Sequence, residues 1–392
     1  MKVWAARLVL VPAAFALVAA DELKPADFAA DARSIETIVN KHYAYLERFP
    51  GARMPMTAKL RAEASAVSTA RELVRYSERA LALLADHHAI TGSSTKESWA
   101  VVPSYSDLWV ERQGKDYVVE QVRADTPASQ AGIRAGDRLV SVDGVPLAAA
   151  IASFWADLGT TGGGDRDGYA ARVLAAGRRD RPRQIVVQRG SASPRSLTLA
   201  NLYSRDLGGR PHLSVVEEGN SLVLRINDSL GNRDTVAVFD QAMARALPGQ
   251  AIVIDLTDTA SGGNTTVARG IMGWFVTKPT FYQMHSLPVE ERETGIARQW
   301  VEQVLPRAGK HHHGPVTVRV GRWTGSMGEG LAIGFDAIGA RVEGSRMAGL
   351  LGAIYDHRLE RSSQVIKIPT ERLHAVDGTP REHFVPQYKI QR

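Results

Sequence analysis

The sequence predicts an α/β protein in which a helical region and a β-rich domain precede a larger αβ core. Three observations predict it: apolar residues recur at helical spacing before residue 88, short strand patterns with glycine turns fill residues 105–200, and apolar strands alternate with helices after about residue 210. The predicted boundaries are 21–100 for the helical region, 101–203 for the β-rich domain and 210–392 for the αβ core.

The helical region is predicted from two groups of apolar residues. They recur at helical spacing and comprise Ile35, Ile38, Val39 and Tyr43, then Leu73, Val74, Leu81 and Leu84. Proline and glycine at residues 50–55 break the segment between the two groups. Separate helices are therefore expected, and the region ends in Asp86-His87-His88.

The β-rich domain is centred on residues 124–144. A short helix is predicted from Pro127 to Gly132, Gly136-Asp137 turns the chain, Leu139 to Val142 alternates into a strand, and Asp143-Gly144 makes a tight turn. Further strands are predicted at 108–110, 117–119, 185–187 and 197–199. The stretch 124–144 closely resembles the core of a PDZ domain.

The αβ core is predicted from alternating strand and helix patterns. Strands are expected at 222–226, 251–256, 316–320 and 365–368. Helices are expected at 233–247, 263–275, 294–305 and 326–338. Strands that alternate with helices favour a sheet inside this domain.

Two glycine-containing motifs follow apolar strands of this core. Gly262-Gly263 comes shortly after Asp255-Leu256, so that backbone N–H groups before the next helix are free to meet a ligand. Ser326 lies in Gly325-Ser326-Met327-Gly328-Glu329, at the start of a predicted helix. The positive end of that helix favours a developing oxyanion. A helix N-cap is the ordinary alternative role for such a serine.

Together with the PDZ stretch, these motifs resemble the tail-specific proteases, also called C-terminal processing peptidases. That family has a strand ending in DLRxNxGG, a nucleophile in a T.S..E turn and a PDZ domain before the catalytic core. The resemblance covers nearly all of the chain after residue 20. It implies a serine peptidase with Ser326 as nucleophile and an αβ core of the ClpP/crotonase type. The loop before Gly262-Gly263 departs from the family pattern, with one extra residue and no arginine.

Two catalytic arrangements occur in this family, and the sequence distinguishes between them. One uses a lysine about 25 residues beyond the serine, but residues 344–353 contain none. Arg346 cannot replace it, because a guanidinium stays protonated. Lys367 lies too far along the chain, in a predicted strand. A Ser–Lys dyad is therefore not expected.

The other arrangement is the Ser–His–Glu set of the tricorn-type members. Their histidine motif before the PDZ domain matches Leu84-Ala85-Asp86-His87-His88, which implies His88 as general base, with His87 as the alternative. Their glutamate motif matches Glu382 near the C-terminus, which implies Glu382 as the third member. A histidine takes the serine proton at neutral pH, and a carboxylate fixes its tautomer.

The resemblance also implies an oxyanion hole and a substrate class. The backbone N–H of Met327 and that of Gly262 or Gly263 would hold the oxyanion. The substrate would be a polypeptide, with its C-terminal residues held at the PDZ domain by strand addition. A catalytically inactive relative that binds peptides or other ligands is the alternative, as is a PDZ-based scaffold.

The first twenty residues have the composition of a secretory signal peptide. Lys2 and Arg7 flank the start of an apolar run, Leu8 to Ala20, which ends in small residues before Asp21. The run is shorter than the roughly 20 residues that a spanning helix needs. An uncleaved N-terminal anchor is the alternative. We expect residues 1–20 to be removed and the protein to be exported, to the periplasm or the medium, without stable membrane insertion.

Composition excludes several classes of site. The chain of 392 residues has no cysteine, so it forms no disulfide and no thiolate site. The net charge is +6, and the basic cluster at 178–183 fits a solvated loop better than a nucleic-acid surface. His311-His312-His313 lacks a nearby carboxylate to complete a metal site. No metal or organic cofactor and no nucleic-acid partner is expected.

Overall fold

A computed structural model of the protein describes residues 23–204 and 209–389. The predicted signal peptide at 1–20 lies outside the described residues. Within them, no helix is both long enough and apolar enough to cross a membrane.

Ten α-helices are found in the described ranges, and capping chemistry explains several of their starts. Thr57, Thr69 and Asn264 each accept a hydrogen bond from the backbone of the first turn that follows them. In chain order the helices are α1 (Pro25–His42), α2 (Ala58–Ala64), α3 (Ala70–Ala82), α4 (Pro127–Gln130), α5 (Leu147–Asp157), α6 (Asp165–Ala176), α7 (Asp234–Met243), α8 (Thr265–Met272), α9 (Pro288–Thr294) and α10 (Met327–Ala337).

The strands of the described ranges form three sheets. In chain order they are β1 (Ile90–Thr91), β2 (Leu108–Gln113), β3 (Asp116–Val122), β4 (Arg138–Val142), β5 (Val145–Pro146), β6 (Arg183–Gln188), β7 (Arg195–Leu199), β8 (Leu213–Glu218), β9 (Ser221–Ile226), β10 (Ala251–Asp255), β11 (Thr280–Ser286), β12 (Gln299–Val304), β13 (Val316–Val320), β14 (Arg341–Gly344), β15 (Ala353–Arg358) and β16 (Val365–His374).

Two of the three sheets each lie within one predicted range, whereas the third crosses the predicted boundaries. Strands β2 to β7 form the antiparallel sheet of the domain at 101–203, hereafter the PDZ-like domain. The core contains a sheet of order β14-β13-β10-β9-β8, in which all pairs except β8–β9 are parallel. The third sheet joins β1, from the N-terminal region, to β16, β11, β12 and β15. The predicted α/β class with a β-rich domain is confirmed.

One predicted helix is a strand in the structure. Residues 294–305 were expected to be helical, but Gln299–Val304 forms β12, antiparallel to β11. Exposure alternates along it, with Gln299, Val301 and Gln303 exposed and the residues between them more covered. The pattern therefore has the period of two that a half-buried strand shows, and pairing with β11 selects it.

The apolar core of the described residues contains two large clusters. One unites the N-terminal helices, the PDZ-like domain and β16, and the other lies within the αβ core. A smaller cluster between them includes Trp109, Ala260, Trp323 and Leu350. The indole Nε1 of Trp323 donates to the carbonyl of Ser106, 2.8 Å away. The loops that follow β10 and β13 are therefore held at the junction of all three regions.

Candidate active site

Ser326 immediately precedes α10 in a strained backbone conformation. Its φ is 50° and its ψ is −114°, values that a residue with a side chain adopts only where the surrounding structure holds it. Ser326 is half-buried, whereas the residues on either side of it are buried. The turn thus presents a reachable hydroxyl at the positive end of the helix.

His88 is presented by the turn between α3 and β1. The carboxylate of Asp86 accepts hydrogen bonds from the backbone N–H of His88 at 2.8 Å and from the hydroxyl of Tyr43 at 2.9 Å. Arg48 in turn donates to the Tyr43 oxygen at 2.8 Å. Ala85 has a φ of 46° at this bend. Asp86 therefore fixes the bend that turns the His88 ring toward α10.

Ser326 and His88 are in hydrogen-bond contact, although 238 positions separate them in the chain. The Nε2 atom of His88 lies 3.1 Å from Oγ of Ser326, and its Nδ1 atom lies 2.6 Å from the carbonyl oxygen of Leu351. A carbonyl only accepts, so the ring proton resides on Nδ1. Nε2 is then left with a lone pair that can accept the serine proton. This is the tautomer that a general base requires.

Glu382 does not join this pair. It lies in the short 3₁₀ helix Arg381–His383, and its Oε2 atom is buried with no hydrogen-bond partner in the described part of the chain. The nitrogen that a third carboxylate would contact, Nδ1 of His88, is instead bonded to Leu351. The structure therefore brings Ser326 and His88 together but leaves Glu382 without a contact to His88. The carbonyl of Leu351 occupies the place at Nδ1 where the carboxylate of Glu382 was expected.

His87, the alternative base, is engaged with the PDZ-like domain. Its Nε2 atom accepts a hydrogen bond from Nε of Arg172 at 3.0 Å. Its ring stacks on Tyr169 with centroids 4.5 Å apart. Burial, together with the Arg172 charge, lowers the pKa of His87. Of the two adjacent histidines, the one in contact with the serine is His88.

Burial sets the protonation of the site. It lowers the pKa of His88 to about 4, and the positive charge of Arg381 adds to the effect. His88 is therefore neutral near pH 7, the state in which an imidazole can accept a proton. Burial also raises the pKa of Glu329 to about 7, against the opposing influence of Arg381 and of three backbone N–H groups.

The predicted oxyanion glycines have different neighbours. Gly262 has a φ of +70°, and a Cβ there would lie 2.4 Å from Cβ of Ser326 and 2.8 Å from the backbone nitrogen of Met327. A Cβ on Gly263 would instead lie 2.1 Å from the carbonyl carbon of Leu230. Gly262 is thus the glycine packed against the serine, and the missing side chain permits that approach.

Hydrogen bonds join the two loops that carry these residues. The backbone N–H of Thr259 donates to the carbonyl of Trp323 at 2.9 Å, and that of Gly325 donates to the carbonyl of Thr259 at 3.0 Å. The Thr324 hydroxyl donates to the carbonyl of Leu256 at 2.8 Å. Beyond the ends of β10 and β13 the chains therefore continue side by side, which places Gly262 next to Ser326.

Two cavities are lined by residues close in sequence to Ser326 and His88, although neither cavity is lined by Ser326 or His88 itself. One of about 590 Å³ is bounded by residues 348–351, Asp86 and His87 and, from the PDZ-like domain, by Glu111 and Arg172. The other, of about 840 Å³, lies beyond the carboxyl ends of β9, β10, β13 and β14 and is closed by residues 120–124. Ligands of open α/β sheets bind at this end of the strands. Either cavity has room for several residues of an extended chain.

No group of three histidine, aspartate or glutamate side chains within residues 23–204 and 209–389 is arranged to hold a metal ion. In the histidine triplet, Nε2 of His311 lies 3.0 Å from Nδ1 of His313, while His312 contacts the carbonyl of Gln250 at 2.8 Å. The first and third rings thus meet edge to face, while the ring between them contacts a different part of the chain.

Comparison with known proteins agrees with this architecture. Residues 118–152 match the PDZ domain family, and no curated protein matches the chain. The chain is similar to the solved structure of the photosystem II D1 C-terminal processing protease, at 16% identity and a TM-score of 0.56, over 93% of both chains. It is also similar to mature CPAF, at 13% identity and a TM-score of 0.59, over 93% of this chain and 92% of that one. The expected fold of the C-terminal processing proteases is confirmed.

Proposed function

We propose that this protein is an exported serine endopeptidase that hydrolyses polypeptides through an acyl-enzyme on Ser326, with His88 as general base. The supporting observation is the 3.1 Å contact between Nε2 of His88 and Oγ of Ser326, made by the tautomer that can accept the serine proton. The strained turn of Ser326 supports the same role, because backbone strain concentrates at functional sites.

Catalysis begins with transfer of the Ser326 proton to Nε2 of His88 while Oγ bonds to the scissile carbonyl carbon. The carbonyl oxygen gains negative charge and is stabilised by the N–H of Met327, the N–H of Gly262 and the positive end of α10. Neither N–H group donates a hydrogen bond within the described part of the chain. The C–N bond then breaks as His88 returns the proton to the leaving amine. Water then attacks the acyl carbon while His88 takes its proton, and His88 returns that proton to Oγ of Ser326 as the acyl–Oγ bond breaks.

The substrate is proposed to be an extended polypeptide that reaches the dyad from the cavities lined by neighbouring residues. Both cavities have one wall from the PDZ-like domain and another from the catalytic loops. A peptide held by the PDZ-like domain through added-strand pairing would reach the site from there. The similar fold of a protein named as a C-terminal processing protease supports this substrate class.

Replacement of the nucleophile tests the proposal. Purified protein that lacks residues 1–20 is treated with a fluorophosphonate probe and with fluorescein-labelled casein. Ser326→Ala should abolish both labelling and proteolysis, because Ser326 carries the hydroxyl that His88 contacts within the described residues. The matched control is Ser193→Ala, a serine on an exposed loop, which should behave as the unsubstituted protein. Labelling that survives Ser326→Ala, or no labelling of the unsubstituted protein, would contradict the proposal and favour a binding protein.

Export is tested separately. Expression of the full chain with its natural N-terminus should release protein whose first residue is Asp21, as determined by N-terminal sequencing. Retention of residues 1–20 on the membrane would instead identify an anchor.

A further inference from the structure

We propose that Glu329 and Arg381 are positioning residues that hold the loop at 349–352 so that the carbonyl of Leu351, in place of a carboxylate, orients His88. The inference rests on the proposed peptidase function. It assigns the orienting role to a main-chain atom and to two side chains that do not contact the histidine ring.

Glu329 fixes one side of the loop and the nucleophile together. It is fully buried, in the first turn of α10. Its carboxylate accepts hydrogen bonds from the backbone N–H of Ser326 at 2.9 Å, of Gly349 at 2.8 Å and of Leu350 at 3.2 Å. One side chain therefore joins the strained serine turn to the loop that contacts the base. Charged acceptors make such bonds stronger than neutral ones do.

Arg381 fixes the other side of the loop. It is 2% exposed, and its guanidinium donates hydrogen bonds to the carbonyls of Leu350 at 2.9 Å and Gly352 at 2.7 Å. The same residue lowers the pKa of His88 and opposes the rise in the pKa of Glu329. Its charge is thus close to both groups, in the C-terminal segment where a catalytic acid was expected.

The hydrogen bonds leave one carbonyl for the base. The N–H groups of Gly349 and Leu350 point to Glu329, and the carbonyls of Leu350 and Gly352 point to Arg381. The intervening carbonyl of Leu351 meets Nδ1 of His88 at 2.6 Å. Gly352, with a φ of +45°, brings the chain against the carbonyl of Glu371, where a Cβ would lie 2.0 Å from that oxygen. The loop is therefore held from three sides.

A carbonyl can perform the orienting task of the acid in a triad. A catalytic carboxylate holds the imidazole in the right tautomer and stabilises the imidazolium, and loss of the right tautomer is very costly to the rate. The Leu351 carbonyl supplies the first function by accepting the Nδ1 proton. Its geometry then depends on Glu329 and Arg381, because a loop carbonyl without such anchors is free to turn away.

The test compares variants by the rate at which a fluorophosphonate modifies Ser326, separated into KI and the limiting rate kinact. Arg381→Met keeps the volume of the side chain and removes both hydrogen bonds. It should lower kinact on the order of 100-fold, the contribution of a well-placed general base, with KI changed less than about threefold. Arg381→Lys can still donate to one carbonyl, so its kinact should be about tenfold higher than that of Arg381→Met. Arg361→Met, on an exposed turn, is the matched control.

A proton NMR measurement and a second variant test the same inference independently of the kinact of Arg381→Met. The downfield Nδ1–H resonance of His88 should be present in the unsubstituted protein, and it should broaden or disappear in Arg381→Met. If that variant does not fold, Glu329→Gln provides the same comparison, since one of its two acceptors becomes a donor. Unchanged kinact in a folded Arg381→Met protein would overturn the inference.

Glu382→Gln tests whether the carbonyl of Leu351 or the carboxylate of Glu382 orients His88. If Glu382→Gln lowers kinact as much as Arg381→Met does, the carboxylate orients His88 and the inference is wrong. A failure of the proposed function itself is distinguishable, because labelling would then survive Ser326→Ala.

Discussion

At the scale of single residues, the two buried side chains of Glu329 and His88 have shifted pKa values. Burial raises the pKa of Glu329 to about 7 and lowers that of His88 to about 4. In the proposed mechanism both act in their deprotonated forms, Glu329 as an acceptor of three N–H groups and His88 as the acceptor of the serine proton. Activity is therefore expected to fall as the pH decreases through each value.

These assignments predict a two-step pH profile of kinact/KI. The unsubstituted protein should lose activity below about pH 7 and again below about pH 4. For Glu329→Gln, kinact/KI is expressed relative to the maximum of that variant. The step near pH 7 should then be absent, and only the step near pH 4 should remain. A step at pH 6 to 7 that persists in Glu329→Gln would show that His88 titrates at its ordinary value, near 6.5, and would contradict the assignment.

At the scale of elements, the site depends on how closely the loop after β10 approaches the start of α10. Gly262 is the point of contact, since its missing side chain leaves room for Ser326 and Met327. The hydrogen bonds of Thr259 and Thr324 hold the same two loops together over the preceding residues. A side chain at position 262 would therefore push apart the two groups proposed to stabilise the oxyanion.

Gly262→Ala is expected to lower kinact by about 100-fold, the typical cost of losing one oxyanion donor. The positive φ and the close contact both oppose the substitution. Gly378→Ala is the matched control, because Gly378 also has a positive φ, of +92°, but nothing lies within 4 Å of its added Cβ. The measurement is probe labelling together with urea unfolding. Equal losses of kinact in the two variants would contradict a specific role for Gly262.

At the scale of the whole molecule, a buried and a half-buried ion pair join the PDZ-like domain to the loops that follow β10 and β13. Arg123, at the end of β3, is 3% exposed and lies 2.6 Å from Asp258, in the loop after β10. Arg322, in the loop before Ser326, lies 2.7 Å from Glu120 of β3. These pairs fix the PDZ-like domain against both loops that build the site.

A double-mutant cycle on Arg123 and Asp258 measures how strongly this ion pair couples the PDZ-like domain to the loop after β10. Arg123→Met leaves a buried carboxylate with fewer partners, so we expect a coupling free energy with Asp258→Asn of about 2 kcal/mol or more in urea unfolding. The pair of the half-buried Lys367 and the exposed Asp356, joined at 2.6 Å, is the control and should couple by less than about 1 kcal/mol. A coupling near zero between Arg123 and Asp258 would show that the pair does not hold the domains together.

Much of the fold followed from local chemistry. The turns of the PDZ-like domain are set by residues such as Asp143 and Gly144, both of which adopt a positive φ. The helix that begins after Ser326 was recognisable for the same reason, since a capping residue and apolar spacing are both local. The strand at 299–304 was missed because its conformation is selected by pairing with β11, a partner distant in sequence.

The sequence by itself determined which residue types were available for chemistry. Through the resemblance to the tail-specific proteases, a serine at the start of a helix, a histidine after Asp86 and the absence of lysine from residues 344–353 implied Ser326 and His88. Only the tertiary structure decided what orients the base. Every residue carries a backbone carbonyl, so nothing in the identity of Leu351 marks it, and Glu329 and Arg381 acquire their role from the loop that they hold. The identity of each side chain can be read from the sequence. The direction of a main-chain oxygen is fixed only when distant segments pack around it.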